Sequence, residues 1–178
     1  MREELGPVVT IESRAFPLRP EPAHGVGFKS TYREAGWRRC AEMSAADGIR
    51  FTPWPHAELP GWSLPALAAA KCVAKQSDEL FERVHHALYE AFFTESRNIA
   101  DAKEVAAIVA AAGADMERFT ADFEAGIGRD AVIGDYEAAV SEHGVRSIPT
   151  VIVPDTGRAL VGLADYAVYR AAVEEALA

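Results

Sequence analysis

A proline at the entrance of an apolar strand is the feature that most constrains the fold of this 178-residue chain. Ile148-Pro149-Thr150 runs directly into Val151-Ile152-Val153. Proline lacks a backbone N–H and is normally excluded from strand interiors, so its position at the start of a strand carries structural meaning. Two interpretations are open: a trans proline that only begins an edge strand, and a cis proline, which proteins usually retain for a reason.

The segments that follow Pro149 predict a hairpin and a closing helix. Asp155-Thr156-Gly157 separates two short apolar runs, a pattern typical of a β-hairpin. Asp165 is suited to cap a helix whose apolar positions recur at helical spacing, namely Tyr166, Tyr169, Val173 and Leu177. This context favours a cis peptide at Pro149, and we expect the strand after it to lie in the interior of the sheet.

Upstream of the proline, the chain divides into one predicted strand and a long helical block. Apolar and polar residues alternate from Val8 to Ala15, as expected of an edge strand with one buried face. A proline-rich stretch then extends to about Gly27. From Ser30 to about His143 the apolar residues form four-spaced stripes, which indicate amphipathic helices packed on a core.

Composition limits the classes of partner. Lys and Arg total 18 against 27 Asp and Glu, a formal net charge of −9, and the basic residues form no stripe, which argues against a nucleic-acid partner. The sequence contains no apolar run long enough to cross a bilayer and no signal-peptide core, so we expect a cytoplasmic protein without a membrane partner. A hydrophobic content of 49% is sufficient for one domain with an insertion.

The two cysteines and five histidines give no sign of a redox or metal centre. Cys40 and Cys72 lie too far apart for a Cys-x-x-Cys pair, and both fall in predicted helices, where we expect buried, unbonded thiols. His85 and His86 are adjacent and would project about 100° apart on a helix, which does not suit metal ligation from one face. We expect no metal and no resident cofactor.

The order of these elements resembles the DsbA family of thioredoxin-fold proteins, especially its FrnE-like and 2-hydroxychromene-2-carboxylate isomerase branch. The likeness covers essentially the whole chain, and the matching segments are Val9-Thr10-Ile11-Glu12, Ala15-Phe16-Pro17-Leu18-Arg19-Pro20, Ala91-Phe92-Phe93, Asn98-Ile99-Ala100-Asp101 and Gly144-Val145-Arg146-Ser147-Ile148-Pro149-Thr150. The resemblance implies an α/β, thioredoxin-like fold with a large all-helical insertion. Residues 1–29 and 145–178 would form the thioredoxin-like part, and residues 30–144 the insertion.

The chain departs from this family at its beginning. Family members start with a strand and a helix that carry a Cys-x-x-Cys pair or a lone Ser or Cys, whereas residues 2–5, followed by Gly6 and Pro7, resemble only the last turn of that helix. We therefore expect the first strand and the start of the first helix to be missing, with Met1 a misplaced start, and the resemblance implies that this chain holds no catalytic residue. The absent strand would leave a bare sheet edge, which predicts a homodimer or capture of another chain.

The resemblance implies a binding site around the proline. The backbone of Ser147 and Ile148, beside Pro149, would pair with a disulfide-containing peptide or with glutathione as a co-substrate. Asp165 would meet the amino group of a γ-glutamyl moiety, or only cap its helix. Trp54, on a proline-rich loop, would line a substrate groove, or only brace the loop against the core.

Three functions are consistent with this sequence. The first is that of the DsbA-like thiol–disulfide oxidoreductases. The second is a glutathione-dependent isomerase or transferase of the 2-hydroxychromene-2-carboxylate isomerase or kappa-class type. The third is a non-catalytic module that binds a peptide or glutathione.

Overall fold

The structure, a computed structural model, describes residues 2–178, with the side chains of all but Arg2, Glu3 and Pro7. Its regular elements are, in chain order, α1 (Arg2–Leu5), a 3-10 turn (Gly6–Val8), α2 (Tyr32–Ser44), a 3-10 turn (Ala45–Asp47), α3 (Leu64–Ala74), α4 (Asp78–Tyr89), a π-helical turn (Glu90–Thr94), α5 (Ala102–Ala111), α6 (Met116–Glu124), α7 (Ile127–Ser141), β1 (Thr150–Val153), β2 (Arg158–Val161) and α8 (Tyr166–Leu177). None of the described helices is long and apolar enough to cross a membrane.

Packing divides the chain into two compact units. The terminal unit comprises Met1–Phe16 and Asp135–Ala178, and the helical unit comprises Pro17–Gly134. The boundaries expected from the sequence, after residues 29 and 144, remain a prediction, since packing alone does not test which segments fold together.

The helical unit has an apolar core built by α3, α4, α5 and α6. The stripe Leu80, Val84 and Leu88 of α4 is buried in this core. Side chains cap the helices around it: the Ser77 hydroxyl accepts the N–H of Leu80 at 3.1 Å, and the Asp101 carboxylate accepts the N–H of Lys103 at 2.8 Å. Such caps satisfy N–H groups that have no partner within the helix. The predicted helical block is confirmed.

Helix α7 approaches α3 so closely that only glycine fits at position 128. A Cβ on Gly128 would lie 2.1 Å from the carbonyl oxygen of Ala68 and 2.7 Å from the Sγ of Cys72. Contacts this short lie well inside van der Waals distance, so a side chain at position 128 would force the two helices apart.

The terminal unit contains the predicted hairpin and closing helix. β1 and β2 pair antiparallel, with Thr150 opposite Val161 and Val153 opposite Arg158. Ala172 of α8 is fully buried, and α8 packs on β1. The expectation that β1 lies inside a sheet is wrong, because the described residues form a sheet of two strands, in which each strand is an edge.

The predicted edge strand from Val8 to Ala15 does not form. Gly6–Val8 is a 3-10 turn, and residues 9–15 belong to no strand. Alternating polarity sets which side chains face inward, but a strand also needs a hydrogen-bonded neighbour, and the sheet of the described residues does not extend to this segment.

Asp135 anchors the end of this segment instead. Its side chain is only 6% exposed, and its carboxylate accepts the N–H of Ala15 at 2.7 Å and the Nη1–H of Arg14 at 3.0 Å. The hydrogen bond to Asp135 is the main reason that the pKa of Arg14 is raised. One step along both segments, the rings of Phe16 and Tyr136 meet edge to face, 4.9 Å apart.

We expect Asp135→Ala to lower the free energy of unfolding by about 2 kcal/mol, because it leaves the buried N–H of Ala15 without its acceptor. Denaturant titration followed by circular dichroism measures this loss. The control is Asp130→Ala on the same helix. Asp130 is exposed and, among the described side chains, pairs with its neighbour Arg129 alone, so this substitution should change stability by less than about 0.5 kcal/mol. Equal effects of the two substitutions would contradict an anchoring role for Asp135.

Candidate functional site

The loop before β1 is exposed and held at both ends. Arg146, Ser147, Ile148 and Pro149 all face solvent, and the Ile148–Pro149 peptide bond is cis, as the sequence predicted. Upstream, the N–H of the buried Val145 donates to a carbonyl of α7 at 2.8 Å. At the strand end, Pro149 accepts the N–H of Gly162 at 2.8 Å, and Ser147 accepts the hydroxyl of Thr150 at 2.7 Å. These bonds fix the loop while its outer side stays accessible.

This loop presents unused backbone groups to solvent. Within the part of the chain that the structure describes, the N–H groups of Ser147 and Ile148 and the carbonyl of Ile148 make no hydrogen bond. The Ile148 side chain is 42% exposed. Free donors and acceptors on a fixed, exposed loop suit the addition of an extended segment, which is recognised through its backbone.

A carboxylate without a capping bond stands at the start of α8. Asp165 has the extended backbone of an N-cap residue, but its side chain makes no capping hydrogen bond. The hydroxyl of Tyr169 orders the preceding loop, because it accepts the N–H of Ala164 at 3.1 Å and donates to the carbonyl of Gly162 at 3.2 Å. Asp165 is therefore available to a cationic group of a ligand.

The two thiols are unbonded and differ in accessibility. Neither cysteine forms a disulfide, as predicted, and Cys72 is fully buried on α3. Cys40 is exposed on α2, so the expectation that both thiols are buried is wrong for Cys40. Burial raises the pKa of Cys72, against the weaker opposing effect of the Gly128 N–H that donates to its sulfur. Neither cysteine lies at a helix N-terminus, the position where the helix dipole stabilises a thiolate.

Comparison with known proteins identifies the family. The sequence matches the family model of the DSBA-like thioredoxin domain over residues 2–174. The chain belongs to this DSBA-like family. The structure resembles the crystal structure of a candidate protein disulfide isomerase from Nitrosomonas europaea, with a TM-score of 0.75 and 16% sequence identity over 99% of this chain and 85% of that chain. At this identity the likeness concerns the fold alone, and no curated protein matches the sequence.

The predicted fold class is confirmed by these findings. The DSBA-like chain has a thioredoxin-like fold with a helical insertion, and Ser147, Ile148, Pro149 and Asp165 all lie in its terminal unit. Among the residues that the structure describes, His, Cys, Asp and Glu side chains form no group of three that could hold a metal ion.

Trp54, the remaining predicted site residue of the DSBA-like chain, is buried. The indole is only 2% exposed and packs against Trp37 and Phe92, with ring centroids 6.0 and 5.3 Å away. Its Nε1–H donates to the carbonyl of Glu58 at 2.8 Å. The indole is therefore not exposed, and its packing matches the alternative in which the tryptophan braces its loop. That Trp54 lines a substrate groove stays a prediction.

Sequence reasoning missed two residues that shape the terminal unit. Tyr169 belongs to the apolar stripe that predicts α8, yet its hydroxyl holds the loop before Asp165. The sequence contains one weak indication of the role of Asp135: this acidic residue lies between Val132 and Tyr136, two members of the apolar stripe of a predicted helix. A buried carboxylate needs hydrogen-bond donors, so this break in the stripe could have indicated a partner elsewhere in the chain.

We expect the native protein to have one thiol that reacts fast, and the denatured protein to have two. Cys40 is accessible, whereas Cys72 is both buried and disfavoured as a thiolate. Reaction with a chromogenic disulfide reagent measures both counts, without reducing agent. Cys40→Ser should remove the fast phase and Cys72→Ser should leave it. A fast phase that survives Cys40→Ser would show that the core around Cys72 opens readily.

Proposed function

We propose that this chain functions in the thiol–disulfide oxidoreductase lineage of its family, and that Ser147 and Ile148 hold an extended, disulfide-containing peptide beside Pro149. One observation carries the proposal: in the fixed, solvent-facing loop before β1, the N–H groups of Ser147 and Ile148 and the carbonyl of Ile148 make no hydrogen bond among the described residues. Recognition through the backbone suits an enzyme class that must accept many sequences around a disulfide.

The redox step itself needs a thiolate that attacks one sulfur of the bound disulfide and displaces the other sulfur as a thiolate. Cys72 is unsuited because it is fully buried and its pKa is raised. Cys40 lies in the helical unit, well inside α2, and has no second cysteine near it in sequence. We propose that the attacking group is neither of these cysteines and that this chain supplies the peptide-holding part of the site.

The test is binding of a fluorescent peptide that contains a disulfide, measured by anisotropy. Ile148→Pro removes the N–H of Ile148 and should weaken binding by about tenfold or more, the equivalent of one or two hydrogen bonds. Ile148→Ala keeps the N–H, removes most of the side chain, and should change affinity by less than about threefold if recognition is through the backbone. Circular dichroism verifies folding of both variants. Equal losses would mean that the side chain is recognised, and no binding by the unmodified chain would refute the proposal.

A second candidate function is glutathione-dependent isomerisation or transfer, and Asp165 favours it. Its carboxylate makes no capping bond, so it is available to the α-amino group of a γ-glutamyl moiety. Asp165→Asn should then weaken glutathione binding by about fivefold or more while leaving the melting temperature nearly unchanged, because no capping bond is lost. Glutathione binding that is insensitive to this change, or absent, excludes this second function.

A further inference from the structure

A cavity of about 360 Å³ lies within the helical unit. Three segments form its walls: the stretch around His24, the loop between Trp54 and Gly61, and the turn that contains Asn98 and Ala100. This volume is within the range of pockets that bind small molecules. The lining includes no residue of the loop before β1, so the cavity is a candidate site separate from the one that holds a peptide.

Backbone hydrogen bonds hold the walls of this cavity together. The N–H of Ala23 donates to the carbonyl of Gly61 at 2.9 Å, and the N–H of Leu59 donates to the carbonyl of Val26 at 2.9 Å. The two segments approach so closely that a Cβ on Gly61 would lie 1.8 Å from the carbonyl oxygen of Ala23. The cavity is therefore preformed, and a ligand can enter it with little ordering of the protein.

Trp54 positions two polar residues of the wall. Its Nε1–H donates to the backbone carbonyl of Glu58 at 2.8 Å, and its ring meets the imidazole of His56 edge to face, with centroids 5.6 Å apart. The indole is itself fixed by its packing against Trp37 and Phe92. These contacts set the backbone of Glu58 and the ring of His56 at the cavity.

The lining is rich in hydrogen-bond acceptors and carries one unneutralised negative charge. The side chains of His24, His56 and Glu58 form no hydrogen bond or ion pair with another described side chain. Among the described residues, no lysine or arginine lines the cavity. A carboxylate accepts about four hydrogen bonds, and a neutral imidazole accepts through its unprotonated nitrogen. In the described part of the chain these side chains do not form a group that could hold a metal ion.

We propose that this cavity binds a ligand that carries a guanidinium group. A guanidinium is planar, donates through all of its N–H groups and has no acceptor, so it complements an acceptor-rich wall and pairs with the Glu58 carboxylate through two parallel bonds. An ammonium group offers fewer donors, and an anion would be repelled by Glu58. The net charge of −9 also favours the approach of a cation.

Asn98 supplies a donor for a second group of the same ligand. Its side-chain oxygen already accepts the N–H of Ala100 at 3.1 Å. The amide N–H groups of Asn98 are therefore the part of this side chain that a ligand can use, and they suit a carbonyl oxygen. A guanidinium compound that also contains a carbonyl matches both ends of the lining.

Titration with N-acetylarginine methyl ester, followed by the indole N–H resonance of Trp54, tests this proposal. N-acetylcitrulline methyl ester is the matched neutral probe, because a urea group replaces the guanidinium, and it should bind at least about tenfold more weakly. Both probes are compared on the unmodified chain, so this readout does not depend on the folding of a variant. No saturable binding of the arginine ester at about 10 mM, or equal binding of the two esters, overturns the proposal.

Substitution of Glu58 tests where the guanidinium binds. Glu58→Gln should weaken binding of the arginine ester at least about tenfold and change that of the citrulline ester by less than about twofold. The control Glu42→Gln makes the same change of charge at an exposed position of α2 that does not line the cavity, and should alter either affinity by less than about twofold. Equal effects of the two substitutions would show that overall charge alone attracts the ester, which overturns the proposal.

A free guanidinium compound and an arginine side chain of a peptide share this chemistry. Acetyl-Gly-Arg-Gly amide distinguishes the two sources. Binding of this peptide at least about fivefold tighter than that of the arginine ester identifies a peptide side chain as the ligand, and equal or weaker binding identifies a free compound. Because neither probe contains a disulfide, failure of this proposal is distinguishable from failure of the proposed function.

Discussion

Gly128→Ala is expected to lower the free energy of unfolding by about 2 kcal/mol or more, although alanine normally favours a helix. The added Cβ would lie 2.1 Å from the backbone oxygen of Ala68, and overpacking of this kind costs about 3 kcal/mol. The higher helix propensity of alanine, compared with glycine, offsets about 1 kcal/mol of that loss. Because the closest atom belongs to the backbone, a rotamer change cannot relieve the clash.

Gly134→Ala is the matched control, since it is the same substitution on the same helix. A Cβ at position 134 meets no atom within 4 Å, so this variant should be stabilised by up to about 1 kcal/mol. Denaturant unfolding of both variants measures the difference. Removing the Cys72 sulfur with Gly128→Ala/Cys72→Ala should not rescue stability, because the contact with Ala68 remains. Stabilisation by Gly128→Ala would show that α7 does not approach α3 this closely.

The second large effect is a lack of catalysed thiol–disulfide exchange. The chain is expected to accelerate the reduction of a model protein disulfide no more than an equal concentration of a free small thiol. The reason is that the accessible Cys40 stands within α2, without a helix start or a second cysteine to favour its thiolate, and Cys72 is buried. A turbidity assay with insulin and a thiol reductant measures the rate.

The control for this assay is the double variant Cys40→Ser/Cys72→Ser, which should behave like the unmodified chain. If the unmodified chain is much faster and a single cysteine substitution removes that rate, then one of these thiols is catalytic. That result would contradict the proposal that the attacking thiolate is neither Cys40 nor Cys72.

Local signals account for what sequence reasoning predicted correctly. Pro149 at a strand entrance, the turn at Asp155-Thr156-Gly157 and the stripe of α8 each depend on a few neighbouring residues, and the structure contains the hairpin and helix that they predict. The helical block was predictable for the same reason, because four-spaced apolar residues bury one face of each helix.

Properties that depend on distant partners were not predictable. The alternation from Val8 to Ala15 could not show whether a neighbouring strand exists, and the segment is held by Asp135 instead. The burial of Trp54 depends on Trp37 and Phe92, which come from other parts of the chain. The free carboxylate of Asp165 could not be told from a capping one, since both occupy the same position in sequence.

Amide chemical shifts of Ser147 and Ile148, recorded while a disulfide-containing peptide is titrated into labelled protein, test the central claim most directly. The proposed function predicts saturable shifts at these two amides, with smaller ones at Thr150, because their N–H groups would gain acceptors in the peptide. Saturable binding that leaves both amides unchanged, with shifts confined to the helical unit, would contradict it.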